Sequence, residues 1–344
     1  MMFHIFFFLL NVFYSIILIG DFMEETFNML TNLIKKYDKI LIMTHKNPDF
    51  DGLGASIGLQ YIISSFGKES YIVKNMKEKN EAFDKLEKYL NKVEYFKTIP
   101  KLKALEFDLD NTLIIIIDTH KQEMVEEPQL IDNGKNIIII DHHIKSKNYI
   151  KNNIFIYINV NLSSSIEFVA NYMKYLNKSI DAIAATFMLV GLEIDTNNYR
   201  LKTTDKTYET AAFLTKIGAD NVLKQELLQV NIDAYIKRQK LIEKTFIVKE
   251  NLAICVAYEG IYEAKDLAVL ALDMLQFENV EASFAIGLLN QNMVGISARS
   301  LGNINVEKIM SCFGGGGHIT EAACQIKTSN IEQVKNDLIN IIGG

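Results

Sequence analysis

Apolar positions along this chain follow two periods. From Met23 to Tyr37 they recur at helical spacing, with Phe27, Leu30, Leu33 and Ile34 on one stripe. Lys39 to Thr44 (KILIMT) is a continuous apolar run, which reads as a strand covered on both faces. The turn HKNPD follows, and Gly52 to Phe66 returns to a helical pattern. A short strand at Ser70 to Val73 and a charged helix at Glu81 to Lys97 come next. Thr112 to Ile117 and Asn136 to Ile140 are again unbroken apolar strands. Helices are expected at Ser164 to Leu176, Ser179 to Thr196 and Asp205 to Ile217.

Strands alternating with helices predict an α/β fold: a doubly wound, mainly parallel sheet. A charged helical stretch at 221–250 reads as a connector. A smaller α/β unit follows, with strands at Leu252 to Tyr258, Ala282 to Leu288 and Met293 to Ala298 and helices at Ala264 to Leu275 and Val306 to Cys312. The expected domains are therefore 23–220, a connector at 221–250, and 251–344. Residues 2–20 (MFHIFFFLLNVFYSIILIG) form an apolar N-terminal helix in this reading. At 1.5 Å per residue their length is about 28 Å, close to the hydrocarbon thickness of a bilayer. No basic stretch precedes them and Lys35, Lys36 and Lys39 follow, so 1–22 is expected to be a membrane anchor with the rest of the chain facing the cytoplasm.

The 344 residues are 49% apolar, enough for two ordinary domains. A net charge of −6 provides no global basic field for long nucleic acid, which argues against a nuclease of long single strands. The three cysteines, Cys255, Cys312 and Cys324, form no CxxC pair and fit a reducing compartment.

The chemistry gathers at the strand ends. His45, Asp49 and Asp51 lie on a loop carrying Pro48 after the first strand, with Gly52 and Gly54 opening the next helix. Asp118 ends one isoleucine run, and Asp141, His142 and His143 end another. Asp195 follows an apolar helix. A lone Asp at a strand end is more often a cap than a ligand. Several such groups, placed where doubly wound sheets bind ligands, point to a two-metal site. Oxygen-rich ligands with few histidines favour Mn²⁺, or Mg²⁺, over Zn²⁺. In the second unit, Arg299 stands at a strand end, and Gly314, Gly315, Gly316 and Gly317 precede His318. Glycine N–H groups can approach an anion closely, and a helix over ITEAACQI would add its dipole. Arginine forks bind phosphate in two places. No Lys-Ser/Thr follows, so this is not a Walker loop.

The segments THKNPDFDGLGASIG, IIDTHK, IIDHHI, SSSIEFVANYM, EIDTNNYRLKT, VEASFAIG, VGISARSLGNINVEKIM and FGGGGHITEAA resemble the DHH/DHHA1 phosphoesterase family. They are most similar to its membrane-anchored branch of bacterial cyclic-di-AMP phosphodiesterases. Members of that branch usually carry two membrane helices, a sensor domain and a degenerate cyclase-like domain ahead of the catalytic part. The resemblance implies hydrolysis of cyclic-di-AMP to linear pApA, and onward to AMP, by water activated at two metals. It implies a first cation on His45, Asp49 and Asp118 and a second on Asp51, Asp118, His142 and Asp195, with Asp118 as the shared catalytic ligand. His143 would meet the phosphate, Arg299 and Gly314 to His318 would hold phosphate or nucleotide, and the chain would pair as a homodimer. Ile144 follows the triplet where relatives often have Arg, and Lys202 also replaces an Arg, losing its fork. The same ligands serve nano-RNA exonucleases that dephosphorylate pAp, the main alternative. Family II pyrophosphatases share the first domain but lack a counterpart of GGGGH. A silent nucleotide receptor would need a broken ligand set, and none of the six ligands is missing. The membrane expectation is checked by cell fractionation: the chain should sediment with membranes and deletion of 2–20 should release it, whereas a full-length chain found free of membranes would contradict it.

Overall fold

Two sheets organise the chain. In the computed structural model, which describes residues 23–343, an amphipathic helix (α1, 23–36) leads into strand β1 (Lys39–Met43). The order continues α2 (Phe50–Ser65), β2 (Glu69–Lys74), α3 (Glu81–Leu90), β3 (Thr98–Pro100), α4 (Lys101–Ala104), β4 (Thr112–Ile117), α5 (Pro128–Asn133), β5 (Asn136–Asp141) and β6 (Phe155–Ile158). Four helices follow: α6 (Ser165–Tyr175), α7 (Ala182–Asp195), α8 (Asp205–Lys216) and α9 (Asn221–Leu227). The anchor expected at 1–22 lies outside the described residues. Among the described residues no helix is long and apolar enough to cross a membrane.

The first sheet has the order β3-β2-β1-β4-β5-β6, and every pairing is parallel. The chain winds outward from β1 to β3, returns to β4 beside β1, and winds outward again. The order reverses between β1 and β4, the place where such sheets open a ligand crevice beyond their carboxyl ends. The isoleucine runs are explained by coverage on both faces. Ile40, Ile42, Leu113, Ile115, Ile138 and Ile140 enter one core. Leu41, Met43, Ile114, Ile116, Ile137 and Ile139 enter another. Strand geometry sends successive side chains to opposite faces, so both faces must be apolar.

Helices α2 and α7 pack against each other without room for a side chain at their crossing. A Cβ on Gly191 would lie 2.4 Å from the Phe50 carbonyl oxygen and 2.5 Å from Ile166. This approach brings the end of α7, with Asp195, alongside the start of α2.

Packing divides the chain after Gln229. The second unit contains α10 (Ile232–Ile242), β7 (Phe246–Val248), β8 (Leu252–Ala257), α11 (Ala264–Met274), β9 (Ala282–Asn290), β10 (Met293–Ser300), α12 (Val306–Ser311), β11 (Gly316–Gly317), β12 (Glu321–Ile326) and α13 (Ile331–Gly343). Its sheet has the order β11-β12-β10-β9-β8-β7, parallel at β8–β9 and antiparallel elsewhere.

Three expectations are corrected. The helix expected over ITEAACQI is strand β12, antiparallel to β10. Ala322 and Cys324 are buried and Ala323 and Gln325 exposed, a period of two that decides for strand. The charged helix from Glu81 stops at Leu90, and Thr98–Pro100 becomes an edge strand. The connector at 221–250 is two short helices and the strand β7 rather than one helical stretch.

Gly191→Val should lower stability by about 1–3 kcal/mol through overpacking, read as a lower urea midpoint with an unchanged slope. An unchanged midpoint would show that α2 and α7 do not cross as described.

Candidate metal centre

The loop after β1 is held from both ends. Lys46 N–H donates to the Met124 carbonyl (2.6 Å), and Asn80 Nδ2 donates to the Pro48 carbonyl (2.9 Å). Asp49 caps α2, its Oδ1 accepting the N–H groups of Asp51 (2.9 Å) and Gly52 (3.1 Å). Its other oxygen lies 3.8 Å from His45 Nε2. His45 Nδ1 lies 2.8 Å from the Lys46 carbonyl, so it carries the hydrogen and leaves Nε2 as the ligating nitrogen.

Asp51 sits one residue into α2 and is buried. Its two oxygens accept the N–H groups of Ser165 (2.8 Å) and Ile166 (3.0 Å), the first residues of α6. That helix terminus carries partial positive charge, which offsets part of the cost of burying the carboxylate.

Asp118 is the central group. It follows β4 with φ +66°, a left-handed backbone that costs an ordinary residue on the order of 1–3 kcal/mol. Its N–H donates to the Ile140 carbonyl (3.0 Å), tying the turn to β5. Its Oδ2 lies 3.5 Å from His45 Nε2, and its Oδ1 lies 3.3 Å from His142 Nε2. Gly52 packs closely beside it: a Cβ there would come within 3.1 Å of Asp118 Oδ2 and would press on that carboxylate. His142 Nε2 also lies 3.3 Å from Asp195 Oδ2 and 3.6 Å from Asp51 Oδ2.

The six expected ligands thus fall into two groups: His45, Asp49 and Asp118, and Asp51, His142 and Asp195, with Asp118 Oδ1 also against His142. Within each group the ligand atoms lie within 4.8 Å of one another. The donor set fits a pair of divalent cations. His142 Nε2 is buried and makes no hydrogen bond, yet it faces carboxylate oxygens of three aspartates. A cation shared with those oxygens would satisfy a buried nitrogen in that position.

Protons balance the cluster when no cation does. Burial works against a charged His45, but Asp118 and Asp49 outweigh it and raise its pKa to about 11. Burial likewise opposes a charged His142, which Asp118, Asp51 and Asp195 raise to about 10. Burial and the neighbouring Asp118 push Asp51 up to about 7. Burial and Asp51 push Asp195 well above the usual carboxylate range. Asp118 moves down: burial opposes this, but His142 and His45 hold it well below its ordinary value.

Asp141, read from the sequence as part of the metal constellation, stands beside the ligand groups as a partner to histidines, and His120 is a group the sequence reading missed. Buried Asp141, the first residue of the DHH triplet, accepts the N–H groups of His142 (2.8 Å) and His143 (3.1 Å) and His143 Nδ1–H (2.8 Å) on Oδ1. Its Oδ2 accepts from His120 Nδ1. His120 stands two residues after Asp118, and that D-x-H spacing was the available signal. His143 reaches the cluster, with Nδ1 3.7 Å from Asp118 Oδ1, and its side chain is 39% exposed.

In the second unit, Arg299 of β10 is in register with Glu321 of β12, and Gly317 of β11 with Ala322. Arg299 and the glycine segment therefore occupy the same end of one sheet. Gly315 and Gly317 serve close pairing: a Cβ on them would lie 2.3 Å from the Ala323 carbonyl oxygen and 2.4 Å from the Glu321 carbonyl oxygen, whereas Gly314 and Gly316 meet nothing within 4 Å. His318 N–H closes the turn by donating to the Glu321 carbonyl (2.6 Å). Because β12 is a strand, no helix N-terminus follows this segment; the C-terminal end of α12 precedes it, with the N–H groups of Gly314 and Gly315 donating to the Ser311 and Met310 carbonyls (3.0 Å each).

A doubly wound domain with clustered histidine and aspartate ligands beyond its strand ends defines the first unit as a metal-site α/β domain. Residues 39–192 match the DHH family, N-terminal domain, and residues 251–344 match the DHHA1 domain. The chain belongs to the DHH family of phosphoesterases. It is 34% identical over 320 residues to the cyclic-di-AMP phosphodiesterase PdeA of Listeria monocytogenes, covering 91% of this chain and 48% of that protein. It is 35% identical to the cyclic-di-AMP phosphodiesterase GdpP of Bacillus subtilis, covering 91% and 49%. The chain spans about half the length of these two relatives. The bifunctional oligoribonuclease and PAP phosphatase NrnA of Mycoplasma genitalium is 26% identical over 90% of this chain and 96% of its own. A solved exopolyphosphatase-related protein of Bacteroides fragilis superposes with a TM-score of 0.77 over 93% of this chain and 96% of that one, at 18% identity, a likeness of fold.

Cations enter by displacing protons from His45, His142 and Asp51, so raising the pH between about 6 and 8 should strengthen Mn²⁺ uptake by chelator-treated protein. Titration calorimetry in buffers of different ionisation enthalpy should show proton release; a heat independent of buffer would contradict the picture.

Proposed function

We propose that this chain is a metal-dependent phosphodiesterase that hydrolyses cyclic-di-AMP to linear pApA, with slower passage onward to AMP. The observation that carries the reading is the Asp118 carboxylate, whose two oxygens face His45 on one side and His142 on the other. Two ligand groups sharing one carboxylate suit phosphoryl chemistry at paired cations. The relatives named as cyclic-di-AMP phosphodiesterases support the substrate, as do the segment VGISARSLGNINVEKIM and the apolar residues 2–20; the net charge of −6 argues only against long nucleic acid.

In this reading His45, Asp49 and Asp118 hold one cation and Asp51, Asp118, His142 and Asp195 the other, with Mn²⁺ favoured over Mg²⁺ by the mixed oxygen and imidazole set. When bound, the cations supply Lewis-acid charge to the phosphate oxygens and to attacking water. The protein's own part is to keep the ligands fixed. Asp51 is held by two N–H groups of α6, Asp49 by two of α2, and Asp118 by its turn against β5. His143, partly exposed beside Asp118, meets the phosphodiester. Arg299 and Gly314 to His318 bind a phosphate or nucleotide group, and residues 251–344 are the substrate-binding domain of a catalytic region that begins near residue 23. Residues 2–20 anchor the chain to the cell membrane with the catalytic part in the cytoplasm, and two copies pair as a homodimer.

The alternative is a nano-RNA exonuclease and pAp phosphatase, favoured by the match to NrnA at nearly equal length. Purified protein with Mn²⁺ should consume cyclic-di-AMP faster than pApA or pAp, followed by chromatography; faster turnover of pAp would transfer the assignment to the alternative. Asp118→Ala should lower kcat on cyclic-di-AMP by more than about a hundredfold, beyond the usual loss for an outer partner. Full turnover by that variant in excess Mn²⁺ would remove Asp118 from the centre.

A further inference from the structure

His120 is buried in the turn after Asp118, and both of its ring nitrogens are engaged. Its Nε2 accepts the N–H of Ser146 (2.8 Å), so the hydrogen is on Nδ1, which donates to Asp141 Oδ2. Its carbonyl accepts the N–H of Ile150 (2.9 Å), and Lys121 bridges to Tyr149. One residue thus joins the turn after β4 to the loop after β5. The far oxygen of Asp141 is filled by the N–H groups of His142 and His143 and by His143 Nδ1–H. A carboxylate held on one oxygen by a buried imidazole cannot rotate away from the three donors on the other. Its orientation keeps the hydrogen of the neutral His143 ring on Nδ1 and leaves Nε2 as the acceptor nitrogen.

We propose that His120 is a positioning residue: acting through the Asp141 carboxylate, it fixes the ring of His143 and the backbone that carries His142, and so places the groups that meet the phosphodiester. The inference rests on the phosphodiesterase reading for its kinetic consequence, but not for its geometry. His120 itself touches none of the reacting atoms. Histidine partners beyond a metal ligand set act in this manner, by locking orientation rather than by binding.

Two substitutions separate positioning from packing. In His120→Asn the amide nitrogen replaces Nδ1 and keeps a donor for Asp141, while the bond to Ser146 is lost. In His120→Gln the amide oxygen replaces Nε2 and keeps the Ser146 bond, while the donor to Asp141 is lost. With Mn²⁺ and cyclic-di-AMP, His120→Gln should lose about 10–100-fold in kcat with KM little changed, whereas His120→Asn should stay within about threefold of wild type. Both should lower Tm by a similar amount, since each breaks one buried hydrogen bond. The second readout needs no turnover. Nitrogen-15 spectra of histidine-labelled, chelator-treated protein resolve six rings at most. His143 should be the single Nδ1–H form in wild type and His120→Asn, and a mixture of the two tautomers in His120→Gln. Equal kinetic losses tracking Tm, two variants near wild-type activity, or an unaltered His143 signal in His120→Gln would each overturn the proposal. If wild type leaves cyclic-di-AMP intact, the phosphodiesterase reading fails by itself, and the tautomer spectra still decide the role of His120.

Discussion

The first unit depends on burying several aspartates within reach of one another and surviving the repulsion. Asp51 and Asp118 are both nearly inaccessible, and Asp195 stands beside them. In a low-dielectric interior such a set is unstable unless positive charge enters it. Part of that charge is built in. The N-terminal turns of α2 and α6 hold Asp49 and Asp51 through backbone N–H groups, each such terminus being worth about 0.3–1 kcal/mol to a nearby anion. The rest is left to His45 and His142, and then to cations that displace their protons.

The fold delivers these groups because of where its winding reverses. β1 and β4 are neighbours although separated by two strand–helix excursions, so the loop bearing His45 and Asp49 meets the turn bearing Asp118. β5 pairs with β4 and brings His142 to the other side of Asp118. Asp195 comes from α7, whose approach to α2 requires Gly191. The strained φ of Asp118 fits the same scheme: a turn that continued as ordinary strand would send the side chain to a face of the sheet rather than past its edge.

Much of this was legible in the sequence. Unbroken isoleucine runs ending in Asp mark doubly covered strands with polar side chains at their carboxyl ends, and the six side chains expected to be ligands lie in two clusters there. Other features were hidden for identifiable reasons. Strands β3, β6 and β7 are three to four residues long and lie toward the sheet edges, too short for a period to register. The segment EAACQI carries small residues that suit either helix or strand, and pairing with β10, with the alternating burial it creates, decides between them. That pairing also changes the role of Gly315 and Gly317, which permit close strand contact rather than opening a helix. His120 and Asp141 act through partners remote in sequence, and spacing alone does not reveal a bond between a turn after one strand and a turn after the next.

The central claim is that one carboxylate is shared by two cations. Crystals of the Mn²⁺-loaded protein measured at the manganese absorption edge test it directly. The account predicts two anomalous peaks about 3.5–4 Å apart, one on each side of Asp118 and each bound to one of its oxygens. A single peak, or two peaks of which only one touches Asp118, would contradict it.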